Sequence, residues 1–321
     1  MSKHIYIYSP SGAVPDKAAF RRGVKRLKAL GHSVEVDQDA LCSHMRFAGD
    51  DDTRLAAIAR AAASGADVAL ISRGGYGLTR ILERIDYAAV AKAIEGGTQF
   101  VGISDFTAFQ LALFAKTGRV SWAGPALCEG FGAEPLPDDI MEDCFNDLLL
   151  GQGEGAGWRL PAPGRAALPG EPKGGPKSEP RVQEWDIHNA TLWGGNLAVL
   201  VSLLGTPYFP KISGGVLFLE DVAEPPYRVE RMLSQLVHAG VLAKQKAVLL
   251  GQFTEFKLTP HDKGFSMKTV SQWLQTQIAA PVLANLPYGH VQTKVLLPVG
   301  AKVDLVVQGR DALIAWGHVH A

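Results

Sequence analysis

The chain has 321 residues, 47% of them hydrophobic, with 32 Lys+Arg against 32 Asp+Glu and a formal net charge of +0. That length suits one large domain or two, and the balanced charge argues against nucleic acid or a membrane surface as a partner. No apolar run reaches the ~18 residues a membrane helix needs, and the three cysteines (Cys42, Cys128, Cys144) are widely spaced with no CxxC pair, which suits a reduced, cytoplasmic protein without a zinc site.

The first half alternates strand and helix signals. Ile5–Tyr8 reads as a strand running into a turn, without the long apolar core and cleavage site of a secretory signal. Lys17–Leu30 has helical periodicity and ends at Gly31. Ser33–Val36 reads as a second strand, Thr53–Ala63 as a helix and Asp67–Ser72 as a short buried strand. A further helix is expected to begin at Thr79–Arg84. Such βα repeats imply a mostly parallel sheet covered by helices, with ligands bound beyond the carboxyl ends of its strands.

Two loops fall on that rim. Arg73-Gly74-Gly75-Tyr76-Gly77 follows the Asp67–Ser72 strand, and its glycines let backbone N–H groups approach a ligand. It fits neither GxGxxG nor GxxxxGK[ST]. The second loop is Gly102-Ile103-Ser104-Asp105, between an apolar strand at Phe100–Ile103 and an apolar helix from Phe106. A strand–turn–helix corner of this kind lifts a hydroxyl clear of the backbone and makes Ser104 a candidate nucleophile. The amides of Gly75 and Asp105 are candidates for an oxyanion hole.

Residues 151–184 carry Pro161, Pro163, Pro169, Pro172, Pro176 and Pro180 among Gly and Lys, and read as a linker between a domain at 1–150 and one at 185–321. Beyond it, Gly194–Leu204 reads as a helix opened by glycine and Gly215–Asp221 as a buried strand ending in two carboxylates. Tyr227–Ala239 and Lys268–Ile278 read as helices, Ala247–Gln252 as a strand, and Val295–Val307 as one or two more. Glu220 and Asp221 both suit the acid of a triad, and alternation lets only one of them meet a given partner. His290, in Leu286-Pro287-Tyr288-Gly289-His290, sits in a tight turn that would present an imidazole rigidly.

Taken together, Ser72–Gly77 with Arg80, Gly102–Thr107, Gly194-Gly195-Asn196-Leu197, Gly205-Thr206-Pro207, Leu217–Asp221 and Gly289-His290 resemble the LD-carboxypeptidase family of serine peptidases. The resemblance runs from Ser9-Pro10-Ser11-Gly12 to Leu297-Pro298-Val299-Gly300. Family members often carry His-Gly-Pro where this chain has Ala123-Gly124-Pro125. The resemblance implies a two-lobed α/β fold, with a mostly parallel N-terminal lobe bearing Ser104 and a C-terminal α/β lobe bearing Glu220 and His290, the active site lying between them. It implies a Ser104–His290–Glu220 triad, with Arg73, Gly74, Tyr76 and Asn196 expected at the substrate. The implied activity is removal of terminal D-alanine from murein tetrapeptides in cell-wall recycling, with no metal and no cofactor.

The implied partner is a murein peptide, and an isologous homodimer is the expectation for this class. Two alternatives differ in kind. A relative of the microcin C immunity peptidases would hydrolyse aminoacyl-nucleotide toxins, with Trp185 and Trp193 as candidate platforms for adenine. A non-catalytic two-lobed protein would bind a small ligand in the cleft without cutting it.

Overall fold

The computed structural model describes residues 2–162, 184–317 and 319. The first lobe is built from β1 (His4–Tyr8), α1 (Lys17–Ala29), β2 (Ser33–Val36), α2 (Asp51–Ala63), β3 (Val68–Ile71), α3 (Tyr87–Glu95), β4 (Gln99–Gly102), α4 (Phe106–Thr117), β5 (Ser121–Ala123) and α5 (Asp139–Leu150). Carboxylates at helix starts terminate the loops cleanly. Asp16, Asp50, Asp86 and Asp138 each accept from backbone N–H groups in the first turn of the helix they open. The helix expected from Thr79 is instead two single 3₁₀ turns, Leu78–Arg80 and Leu82–Arg84. Regular helix waits for the Asp86 cap.

The second lobe holds β6 (Gly155–Arg159), β7 (Glu184–Asn196), α6 (Leu197–Ser202), β8 (Val216–Val222), α7 (Pro226–His238), β9 (Ala247–Thr254), α8 (Met267–Gln277), β10 (Val282–Ala284), β11 (Leu297–Val299), β12 (Lys302–Gln308) and β13 (Asp311–Ala315). The first sheet has the order β11-β5-β4-β3-β1-β2, parallel except where β11 joins β5. The second has the order β10-β9-β8-β7-β12-β13-β6. Its β10–β7 half is parallel and its β7–β6 half antiparallel.

Three details depart from the sequence reading. Gly155–Arg159 lies within the expected linker, yet it is a strand whose Ala156 and Trp158 face inward. The strict alternation of exposed Gly155, Gly157 and Arg159 with buried Ala156 and Trp158 decided it over the local glycine content. The rest of that linker, residues 163–183, lies outside the described residues. Next, Leu297–Val299, from the second half of the chain, completes the edge of the first sheet. The lobes are therefore joined by strand pairing as well as by the chain crossing between them. Finally, Gly194 and Gly195 end β7 and do not open a helix. Asn196 caps α6, its side chain accepting from Val199 N.

The core explains why the lobes hold their alignment. One apolar cluster runs without a break from Ile71, Phe100, Phe106 and Phe109 of the first lobe to Trp193, Leu197, Phe218 and Leu249 of the second. A smaller cluster, with Ile5, Phe20, Val68 and Phe145, fills the other face of the first sheet against α1 and α5. α4 is buried along its first eight residues, from Phe106 to Leu113. It is packed all round, and it begins two residues after Ser104.

The β6 assignment predicts a cost that a linker would not show. Trp158 is 8% exposed and its Nε1 donates to Ala284 O at 3.2 Å. Trp158→Ala should lower stability by about 3 kcal/mol in a denaturant titration. A change below about 0.5 kcal/mol would mean that the segment is peripheral.

Candidate active site

Ser104 sits between β4 and α4 with φ +67°, in the left-handed region that residues with a side chain rarely adopt. Phe106 N–H and Thr107 N–H close the corner onto Ile103 O and Ser104 O. Gly74 presses on it from the side. A Cβ at position 74 would lie 2.5 Å from Ser104 Cβ and 2.7 Å from its Oγ. Only glycine lets the loop after β3 lie against the serine at that range.

Asp105 fixes that loop. Its carboxylate, 2% exposed, accepts from Leu78 N at 2.9 Å, from Gly77 N and from the Ser11 hydroxyl. Burial raises its pKa, and these donors with the nearby Arg54 charge offset only part of that rise. The glycine loop is also tied to the first strand's loop, Gly12 N donating to Gly74 O at 3.2 Å. Gly75 and Tyr76 are exposed, and Arg73 is partly exposed with one guanidinium N–H on Ala13 O at 3.1 Å.

Glu220 and His290 meet in the second lobe. His290 Nδ1 is 2.7 Å from Glu220 Oε2, with Glu220 fully buried and the imidazole side chain 16% exposed. Burial disfavours the imidazolium, but the Glu220 hydrogen bond and charge, with Glu129, outweigh it, and the His290 pKa is raised. Alternation puts Asp221 elsewhere. It accepts from Ala198 N at 2.9 Å, Val222 N at 2.9 Å and Asn196 Nδ2 at 2.8 Å. Burial, with the adjacent Glu220 charge, pushes its pKa up to about 6, against the pull of those donors.

The two halves touch through Thr107 and Asn196. Thr107 Oγ1, in the first turn of α4, accepts from Asn196 N at 3.0 Å, and Asn196 Nδ2 reaches Glu220 Oε1 at 3.3 Å. A Cβ at Gly195 would lie 2.4 Å from Thr107 Oγ1, so this contact too needs glycine. A short path of packed residues therefore connects Ser104 to His290. Among the described residues Ser104 and His290 share no hydrogen bond. Triads without ligand are often open in this way.

Of the residues expected from sequence, Ser104, Gly74, Gly75 and Asp105 form one cluster. Glu220, His290 and Asn196 form a second, in contact with the first. Asn196 is 4% exposed and its amide is spent on the two carboxylates and the α6 cap, so it is placed to orient acids, in contrast to the direct substrate contact expected of it. The aromatic platform is corrected as well. Trp193 is fully buried, with its N–H on Gln245 at 2.9 Å. Trp185 lies at the far end of β7, roughly 35 Å from Asn196 at the strand rise per residue. Sequence reasoning missed Thr107, Ser11, Lys294 and the carboxylate of Asp105. Only Asp105 gave a signal, as an acid beginning an otherwise apolar helix.

Family models match residues 5–124 as an LD-carboxypeptidase N-terminal domain and residues 189–305 as the C-terminal domain. The chain belongs to the LD-carboxypeptidase family. The muramoyltetrapeptide carboxypeptidase of Oxalobacter formigenes has a crystal structure 36% identical to this chain, covering 99% of it and 100% of that protein at a TM-score of 0.83. A probable murein peptide carboxypeptidase of Bacillus subtilis is 28% identical over 94% of this chain and 89% of its own length. The microcin C7 self-immunity protein of Escherichia coli is 28% identical over 75% of this chain and 71% of its own. The family is one of peptidases, and the chain is an enzyme of that class.

Two outcomes are expected from this geometry. Glu220→Gln should lower kcat on the order of 10³- to 10⁴-fold. It should also move the acidic limb of the kcat/KM profile to lower pH, because the carboxylate that raises the His290 pKa is gone. Wild-type enzyme should show that limb above the ordinary histidine value of about 6.5. A limb that does not move on substitution would take Glu220 away from His290.

Asp105→Asn should lower kcat about 10- to 100-fold with little change in KM, since an amide presents a donor where three donors already converge. Unchanged kcat in a folded variant would mean that the loop holds its place without this carboxylate.

Proposed function

We propose that the chain is a serine carboxypeptidase that removes the terminal D-alanine from murein tetrapeptides. It would cut the bond between the L-centre of a diamino acid and D-alanine during cytoplasmic recycling of the cell wall. The observation that supports the reading is the buried Glu220–His290 pair, at 2.7 Å, linked through Asn196 and Thr107 to the helix that follows a serine at a positive-φ strand–helix corner. The Oxalobacter relative, matched along its whole length, supports the choice of substrate.

In this reading Ser104 is the nucleophile, His290 the general base and Glu220 the residue that orients it. Glu220 holds Nδ1, which leaves Nε2 for the serine proton. Ser104 Oγ attacks the scissile carbonyl carbon as its proton passes to Nε2. The tetrahedral oxygen takes the negative charge and is received by the amides of Gly75 and Asp105. The C–N bond then breaks, and His290 returns the proton to the departing D-alanine nitrogen. Water attacks the acyl-enzyme, giving one proton to His290, and Ser104 leaves with that proton restored. Arg73, Gly74 and Tyr76 border the path of the peptide, with Tyr76 half exposed above Phe47.

No described helix is long and apolar enough to cross a membrane. The expected homodimer is checked by light scattering, and a monomer at working concentration ends that reading.

Incubation with a murein tetrapeptide should yield tripeptide and free D-alanine by mass spectrometry, and EDTA should leave the rate unchanged. Ser104→Ala should stay folded and lose on the order of 10⁴–10⁶ in rate. Wild-type turnover in that variant, or turnover only of an aminoacyl adenylate analogue, would overturn the assignment.

A further inference from the structure

Lys294 lies four residues after His290 and is 2% exposed. Its loop is fixed on several sides. Val295 N donates to Pro287 O at 2.8 Å, Thr254 Oγ1 to His290 O at 3.2 Å, and Thr293 Oγ1 to Asp138. Among the described residues the Lys294 ammonium makes no hydrogen bond and no ion pair. The carboxylates of Glu129, Glu220 and Asp138 act on it through space. Two of these are already engaged, Glu220 by His290 and Asn196, and Asp138 by Thr293 and Met141 N. Glu129 is exposed to solvent. The side chain is buried almost to its tip, and the ammonium, which keeps only a trace of solvent contact, has no acceptor of its own among the described residues. Within through-space reach of His290 and Glu220, it is placed to receive a ligand that brings its own negative charge.

We propose that Lys294 receives the free α-carboxylate of the peptide's C-terminal residue and so restricts the site to exopeptidase cleavage. The inference rests on the carboxypeptidase reading above. Its geometric logic comes from the leaving group. The departing nitrogen must face His290, which protonates it. The terminal carboxyl carbon is two bonds from that nitrogen, about 2.5 Å away in standard covalent geometry. The cation that holds it therefore belongs on the loop of the base, and Lys294 is on that loop. Arg73, the other cation near the serine, belongs to the glycine loop and already donates to Ala13 O. A compact ammonium on a four-carbon stem suits one carboxylate approached from a fixed backbone.

The test compares a murein tetrapeptide with the same peptide carrying a C-terminal amide. Wild-type enzyme should prefer the free acid strongly. Lys294→Met should raise KM for the free acid on the order of 10- to 100-fold, the worth of one charged hydrogen bond, with a smaller change in kcat. KM for the amide should hardly move, and Lys294→Arg should recover part of the preference. The melting temperature of each variant reports folding, and Lys294→Gln serves as a second neutral variant.

Equal losses for acid and amide in both neutral variants would overturn the proposal. So would Arg73→Met abolishing the preference while Lys294→Met keeps it. A wild type that cuts both peptides equally overturns the carboxylate anchor and leaves the hydrolase reading standing. A wild type that cuts neither overturns both.

Discussion

The catalytic geometry depends on one buried junction, where Thr107 accepts the Asn196 N–H and the Asn196 side chain donates to Glu220 and Asp221. It joins the first helical turn after Ser104 to the two acids at the end of β8. Removing the amide would leave Glu220 Oε1 buried without a donor, at about 1–3 kcal/mol or more, while Asp221 would keep Ala198 N and Val222 N. The junction is stable because it lies inside a continuous apolar core. Phe106 and Phe109, stacked with centroids 4.8 Å apart on α4, belong to the same cluster as Leu197 and Phe218. Since β11 also pairs with β5, the alignment of the lobes is a property of their interface.

Adjacent buried carboxylates are an expensive choice, and the structure shows how each is kept. Asp221 points toward the start of α6, where Ala198 N and the helix dipole favour negative charge. Burial still lifts its pKa to about 6. Glu220, one residue earlier, shares the Asn196 amide with it and turns its other oxygen to the imidazole. The same strand thus supplies a structural acid and an acid aimed at the base, and the bulge in the β8–β9 pairing falls between Leu219 and Asp221.

Much of this was legible in the sequence because strand–helix alternation is local. β2 and the starts of β8 and β9 fall where apolar runs and helix caps put them. The Ser104 corner was readable for the same reason. The β6 strand was not, because its glycines sit on the exposed face and resemble the proline-rich segment beside it. The β11–β5 pairing was hidden too, since a three-residue strand carries no sign of which sheet it will join. Glu220 and Asp221 could not be separated by composition, as both end the same apolar run. What separates them is the side from which His290 approaches, and that is a tertiary fact. The buried state of Trp193 was likewise set by Gln245 and Phe209, far away in the chain.

The strained serine gives the arrangement its economy. A side-chain-bearing residue at φ +67° costs roughly 1–2 kcal/mol. That cost is sustained by the contacts around it, with Gly74 against Ser104 on one side and Asp105 gathering Ser11, Gly77 and Leu78 on the other. Ser104 and the candidate oxyanion donors therefore form a single rigid unit in the first lobe. Glu220, His290 and Asn196 form another in the second. With Thr107–Asn196 and β11–β5 closing the seam between them, the remaining freedom lies in the Ser104 and His290 side chains themselves. The seam therefore holds the backbones of Ser104 and His290 in one frame, which is what two side chains need if they are to act on one peptide.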